Sequence, residues 1–154
     1  MNPLFMRQAI QLAVENIKNG GGPFGAVIVK DGKVIATGVN RVTANNDPTA
    51  HAEVSAIRAA CEALGTFSLE GCDIYSSCEP CPMCLGAIYW AHLDHLYYGA
   101  NKHDAAAAGF DDQFIYEELD LTIESRRLKT EVVIPQEAQA PFTLWKEYDE
   151  RTEY

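Results

Sequence analysis

The sequence predicts an α/β layer fold. Two kinds of apolar pattern carry that reading: residues recurring at helical spacing, and short β-branched runs. The two kinds alternate along the chain, as in a layered sheet covered by helices. The first two runs are joined by Asp31-Gly32, and Asp-Gly between such runs is the strongest short hairpin signal.

The elements follow in order. Residues 3–19 place Met6, Ile10, Ala13, Val14 and Ile17 on one helical face. Asn2 caps this helix, Pro3 sits in its first turn, and Gly20 to Pro23 end it. The hairpin strands are 24–30 and 33–39. A polar loop, 40–47, leads to Asp47-Pro48, read as the N-cap and first residue of a helix reaching Leu64. Residues 72–77 read as a buried strand, 81–92 as a helix opened by Pro80 and Cys81, and 94–99 as another strand. The stretch 101–112 reads as irregular despite Ala105 to Ala108. Residues 114–119 read as a short helix, 131–134 as a strand and 136–150 as a last helix containing Trp145.

Composition bounds the function. A chain of 154 residues, 47% apolar, is expected to form one globular domain. No stretch approaches the roughly 18 apolar residues of a membrane span, and MNPLFMRQAI does not read as a signal peptide. The expectation is a cytoplasmic protein. A net charge of −10 disfavours phosphate backbones and anionic membranes, so neither nucleic acid nor membrane is an expected partner. Arg126, Arg127 and Lys129, the one dense basic cluster, read as a solvated face. The five cysteines, 61, 72, 78, 81 and 84, are odd in number and lack an export signal. That points to metal or catalytic use rather than a disulfide framework.

The chemistry sits at two helix starts. His51-Ala52-Glu53 opens one, and Pro80-Cys81-Pro82-Met83-Cys84 opens the other. Cysteines three apart share a helix face, so both sulfurs reach one ion. His51 supplies a third ligand, and three protein ligands leave zinc a fourth position for water. Zinc lowers the pKa of such water to roughly 7. Glu53, beside the metal but not needed as a ligand, can move a proton from that water to a departing amine. Paired H-x-E and P-C-x-x-C is the signature of the zinc deaminases. Plainer readings stay open: C-x-x-C as a redox pair, or a closed structural zinc with Cys78 as fourth ligand. Cys61 and Cys72 read as core, and His92, His95 and His103 have no partner motif.

Longer stretches carry a family resemblance. Asp47-Pro-Thr-Ala-His-Ala-Glu53 and Cys78-Glu-Pro-Cys-Pro-Met-Cys84 resemble the cytidine deaminase superfamily. Within it, four further stretches resemble the bacterial guanine deaminases: Gly21-Gly-Pro-Phe-Gly-Ala-Val-Ile-Val29, Cys84-Leu-Gly-Ala-Ile-Tyr-Trp-Ala91, Ala108-Gly-Phe-Asp-Asp-Gln-Phe-Ile-Tyr116 and the ending Glu153-Tyr154. The resemblance implies a three-layer α-β-α sandwich with a mixed five-stranded central sheet, and a zinc-dependent hydrolysis of guanine to xanthine and ammonia. It implies His51, Cys81 and Cys84 as zinc ligands, with Glu53 shuttling protons helped by Asp112. Asn40, Phe24, Ala52, Trp90 and Tyr154 would bind the free base. It also implies a homodimer whose C-terminal segments are swapped. Without the resemblance, Phe24 and Trp90 read equally as core, Asp111 and Asp112 as caps of the following helix, and the tail as frayed. A tRNA adenosine deaminase, or a deaminase of another small ring such as cytosine or an aminotriazine, remains as the alternative.

Overall fold

The computed structural model describes residues 1–154, which fall into two compact units, Met1–Gln113 and Phe114–Tyr154. The first unit opens with α1 (Pro3–Lys18), where the Asn2 side chain accepts from the Leu4 N–H. The hairpin follows as β1 (Gly25–Lys30) and β2 (Lys33–Val39), turned by Asp31 and Gly32, both at positive φ. A short helix α2 (Val42–Asn45) precedes α3 (Ala52–Leu64), β3 (Cys72–Cys78), α4 (Pro82–Trp90), β4 (His95–Ala100) and α5 (Lys102–Ala107).

The sheet runs β2-β1-β3-β4. β1 pairs antiparallel with β2 and β3, whereas β3 and β4 are parallel. Side chains alternate across a strand, and the core divides accordingly. Ala26, Ile28, Cys72 and Ile74 point to one face, where they pack with Ala52, Ala56 and Ala60 of α3 and Ile88 of α4. Val27, Val29 and Tyr75 point to the other, against Ala9 of α1. Helices therefore cover both faces of a mixed sheet.

α3 lies unusually close to the sheet. A Cβ on Gly38 of β2 would stand 2.1 Å from the Ala52 carbonyl oxygen and 2.4 Å from the Ala56 nitrogen. Glycine on the strand and alanines on the helix are what permit that approach.

Helix α6 (Gln113–Asp120) starts at the last residue of the first unit and continues in the second, which also holds α7 (Ala140–Glu147) and short 3-10 turns at Ile123–Ser125 and Glu137–Gln139. No residue after Gln113 is buried.

Four expectations are corrected. The sheet has four strands, not five: 131–134 carries the β-branched pattern but no neighbouring strand to complete its hydrogen bonds. The helix expected from Pro48 begins at Ala52, because the Asp47 carboxylate folds a turn by accepting from the Thr49 N–H and hydroxyl at 2.8 and 2.7 Å. The stretch after 101 is helical through Ala107, held by a capping box in which Asn101 and Asp104 satisfy each other's N–H groups. The last helix spans only Ala140–Glu147.

Gly38→Ala is expected to lower unfolding stability by about 2 kcal/mol or more, since backbone atoms cannot yield. Chemical denaturation measures this. A loss within about 0.5 kcal/mol would mean that the approach of α3 is not constrained there.

Candidate functional site

Two helix N-termini meet at the site. His51 is the N-cap of α3 and Cys81 the N-cap of α4, both with extended backbone and neither making a side-chain cap hydrogen bond. Their side chains are thus free to face each other. His51 Nδ1 lies 3.5 Å from Cys81 Sγ and 3.5 Å from Cys84 Sγ. The three donor atoms all fall within 4.8 Å of one another. Tetrahedral zinc, with bonds of about 2.0–2.1 Å to nitrogen and about 2.3 Å to sulfur, separates N and S by about 3.6 Å. The trio fits that ion in spacing and in chemistry. Cys78 is not in the trio: it is buried at the end of β3, with Sγ 3.7 Å from the Asn101 carbonyl.

Charge at the site is arranged around one sulfur. Cys81 is drawn down to about 4, first by a hydrogen bond from the Cys84 thiol and also by His51. Cys84 is pushed up as the donor of that bond and by burial. His51 is raised by its bond to Cys81. Burial pushes the Cys78 thiol up to about 11, with the Glu53 charge adding to it.

Glu53, in the first turn of α3, is 5% exposed. The Ser76 hydroxyl donates to its Oε1 at 2.9 Å. Burial raises the Glu53 pKa, and burial followed by the Cys81 charge raises that of Asp112.

A cavity of about 570 Å³ opens over these groups. His51, Cys81, Glu53, Asn40, Phe24 and Asp112 all line it. Phe24 meets Phe110, another wall residue, edge to face at 5.0 Å. The adjacent acids divide their work: the Asp111 carboxylate accepts from the Gln113 N–H at the start of α6, whereas Asp112 is raised by its surroundings as above. Ala52 does not line the cavity with its side chain, which lies fully buried in the core. Trp90 ends α4, 68% exposed, and is not a wall of this cavity. Tyr154 belongs to the second unit and is exposed.

Sequence reasoning passed over Ser76 and Phe110. Ser76 had a signal: a hydroxyl in a strand read as buried must find a partner. Phe110 had none beyond its neighbourhood to Asp112.

Residues 2–100 match the family model of the cytidine and deoxycytidylate deaminase zinc-binding region. The chain is 54% identical over 151 residues to the guanine deaminase of Bacillus subtilis, covering 97% of each. The X-ray structure of the Bacillus subtilis enzyme superposes with a TM-score of 0.97 over 100% of this chain and 99% of that one. A tRNA-specific adenosine deaminase of Agrobacterium fabrum is 50% identical over 102 residues, 64% of this chain and 67% of its own.

The Cys81 thiolate gives a pH test in metal-free protein. Its folded pKa of about 4 lies below the roughly 8.5 of a free cysteine. The stability it contributes is full above about 8.5, declines as pH falls and is gone below about 4. Relative to Cys81→Ser, the apo protein is therefore expected to lose its stability advantage across that window, read by urea denaturation at stepped pH. An advantage independent of pH would contradict the assignment.

Proposed function

The chain belongs to the family of cytidine and deoxycytidylate deaminase zinc-binding proteins, and from that premise we propose that it hydrolyses guanine to xanthine and ammonia. The observation that carries this reading is the His51–Cys81–Cys84 trio at the wall of a cavity of about 570 Å³, with the Glu53 carboxyl beside it. Likeness to a guanine deaminase over nearly the whole chain supports the choice of ring.

Zinc held by the trio supplies an activated water at neutral pH. The remaining work falls to protein groups. Glu53 accepts a proton from the attacking water and hands it to the departing amine at C2, so that its charge is the same before and after turnover. Its raised pKa suits a group that must both take and give a proton. Asp112, across the cavity, accepts from the N–H edge of guanine and assists the second transfer. Asn40 donates its amide to the acceptor edge, and Phe24 packs on the ring. Ala52, whose side chain is in the core, acts through its backbone N–H in the unpaired first turn of α3.

The partner we propose is a second copy of this chain. A unit of 41 residues with none buried does not make a core, and Val132, Val133, Phe142 and Leu144 stand exposed in it. β4 ends the sheet with one side unpaired, an edge that natural proteins cover. The C-terminal segment of a second copy would cover that edge and bring Tyr154 over the base. A closed cavity excludes a polymer and a ribose, and 22 acids against 12 bases argue the same way. Trp90 has no place in this reading as a wall of the same subunit's cavity.

Ammonia release from guanine, guanosine, adenine, cytosine and an aminotriazine tests the substrate. Guanine is expected to dominate, and equal turnover of guanosine would undo the closed site. Glu53→Gln is expected to keep zinc and lose about 10²–10⁴ in kcat; zinc retained with full turnover would remove Glu53 from the mechanism. Deleting Thr152 to Tyr154 is expected to raise KM while light scattering still reads a dimer. Unchanged kinetics would remove Tyr154 from the site.

A further inference from the structure

Asn16 lies in the last turn of α1 and is 4% exposed. Its amide nitrogen donates twice, to the Gly22 carbonyl at 2.8 Å and to the Asn40 carbonyl at 2.8 Å. One buried side chain thus ties three segments together: the end of α1, the glycine turn and the residue that follows β2. The glycine turn is shaped to receive it. The Gly21 N–H donates to the Asn16 carbonyl at 2.9 Å. A Cβ on Gly21 would stand 2.3 Å from the Asn16 amide nitrogen.

The same cluster fixes Asn40 on every side but one. Its N–H donates to the Phe24 carbonyl at 3.2 Å, its carbonyl accepts from Asn16, and its side-chain oxygen accepts from the Val42 N–H at 3.3 Å. A Cβ on Gly22 would lie 3.0 Å from the Asn40 amide carbon, so glycine there leaves the space that the Asn40 side chain fills. With its oxygen committed, the group Asn40 offers to the cavity is its Nδ2 donor.

We propose that Asn16 is a positioning residue for base selection: it holds Asn40 so that the Asn40 amide donates to the oxo edge of the purine. The inference rests on the guanine reading above and adds to it the origin of the preference for a 6-oxo ring. Asn16 touches no substrate. It acts through the Asn40 backbone and, through Gly22, on the turn that leads to Phe24. The Gly22 carbonyl also accepts from the Phe24 N–H at 2.8 Å, so the turn keeps a tie of its own, whereas the bond from Asn16 holds the Asn40 carbonyl, and its loss loosens Asn40 beside the base. A donor aimed at O6 rewards guanine over 2-aminopurine, which carries the same amine on C2 but hydrogen in place of O6.

A double-mutant cycle on the zinc-loaded protein tests this with Asn16→Ala, Asn40→Ala and the pair, each assayed on guanine and 2-aminopurine. Asn16→Ala is expected to raise KM for guanine roughly tenfold, a change of about 1.4 kcal/mol, with kcat and zinc content little changed. KM for 2-aminopurine is expected to stay put. In the Asn40→Ala background, Asn16→Ala is expected to cost nothing further, because the two act as one unit. Equal losses on both bases, or a full additional loss in that background, would overturn the inference and leave Asn16 a scaffold residue. Should Asn16→Ala fail to fold, Gly22→Ala displaces the Asn40 side chain with the Asn16 amide intact; it must then show the same guanine-specific rise in KM, and a rise shared by both bases counts against the inference. Wild-type protein inactive on guanine would overturn the function reading itself, and this inference with it.

Discussion

The site exists because two helices start at the same place. α3 and α4 each begin with a residue of the candidate metal trio at the N-cap, His51 and Cys81, and a helix start carries partial positive charge with unpaired N–H groups. That field favours a thiolate and an incoming anion or polarised water. It depends on how deeply α3 seats on the sheet, and Ala52, Ala56 and Ala60, all fully buried, let it seat against Gly38. Larger side chains on either surface would lift the helix and carry His51 away from the two sulfurs. A packing constraint in the core is therefore also the constraint on metal geometry.

Around that point the titratable groups are pushed apart in useful directions. Cys81 is held as thiolate near a His51 whose protonated form it favours. Glu53 and Asp112 are both raised, Glu53 by burial and Asp112 by burial and the same thiolate. The Ser76 hydroxyl donates to one oxygen of Glu53, and the Cys84 thiol also bonds that carboxyl. A carboxyl that is buried, tethered by hydrogen bonds and raised in its proton affinity is suited to shuttle a proton between water and amine.

Much of this was legible in the sequence, for physical reasons that differ by residue. The hairpin was readable because Asp31-Gly32 adopts positive φ at both positions, a demand few dipeptides meet. His51, Cys81 and Cys84 were readable because metal ligation fixes residue type and spacing together. The start of α3 was not, since Asp47-Pro48 looks like a helix opening but the Asp47 carboxylate closes a tighter turn on Thr49. The 131–134 segment has strand composition and no strand partner, because pairing is a property of two segments and composition of one. Trp90 stands exposed at the end of α4, because nothing in its spacing says which way the helix end faces. Asn16 reads as a polar residue on an amphipathic helix; only the fold brings the Asn40 carbonyl, 24 residues on, to its amide.

An open metal position at the junction of α3 and α4 is what the proposed chemistry requires. Zinc K-edge X-ray absorption of the purified protein reads the ligand set directly. The expected result is two sulfurs at about 2.3 Å with two lighter atoms at about 2.0–2.1 Å, one from His51 and one exchangeable. Three sulfurs, with Cys78 drawn in as a fourth protein ligand, would mean a closed structural zinc and contradict the account.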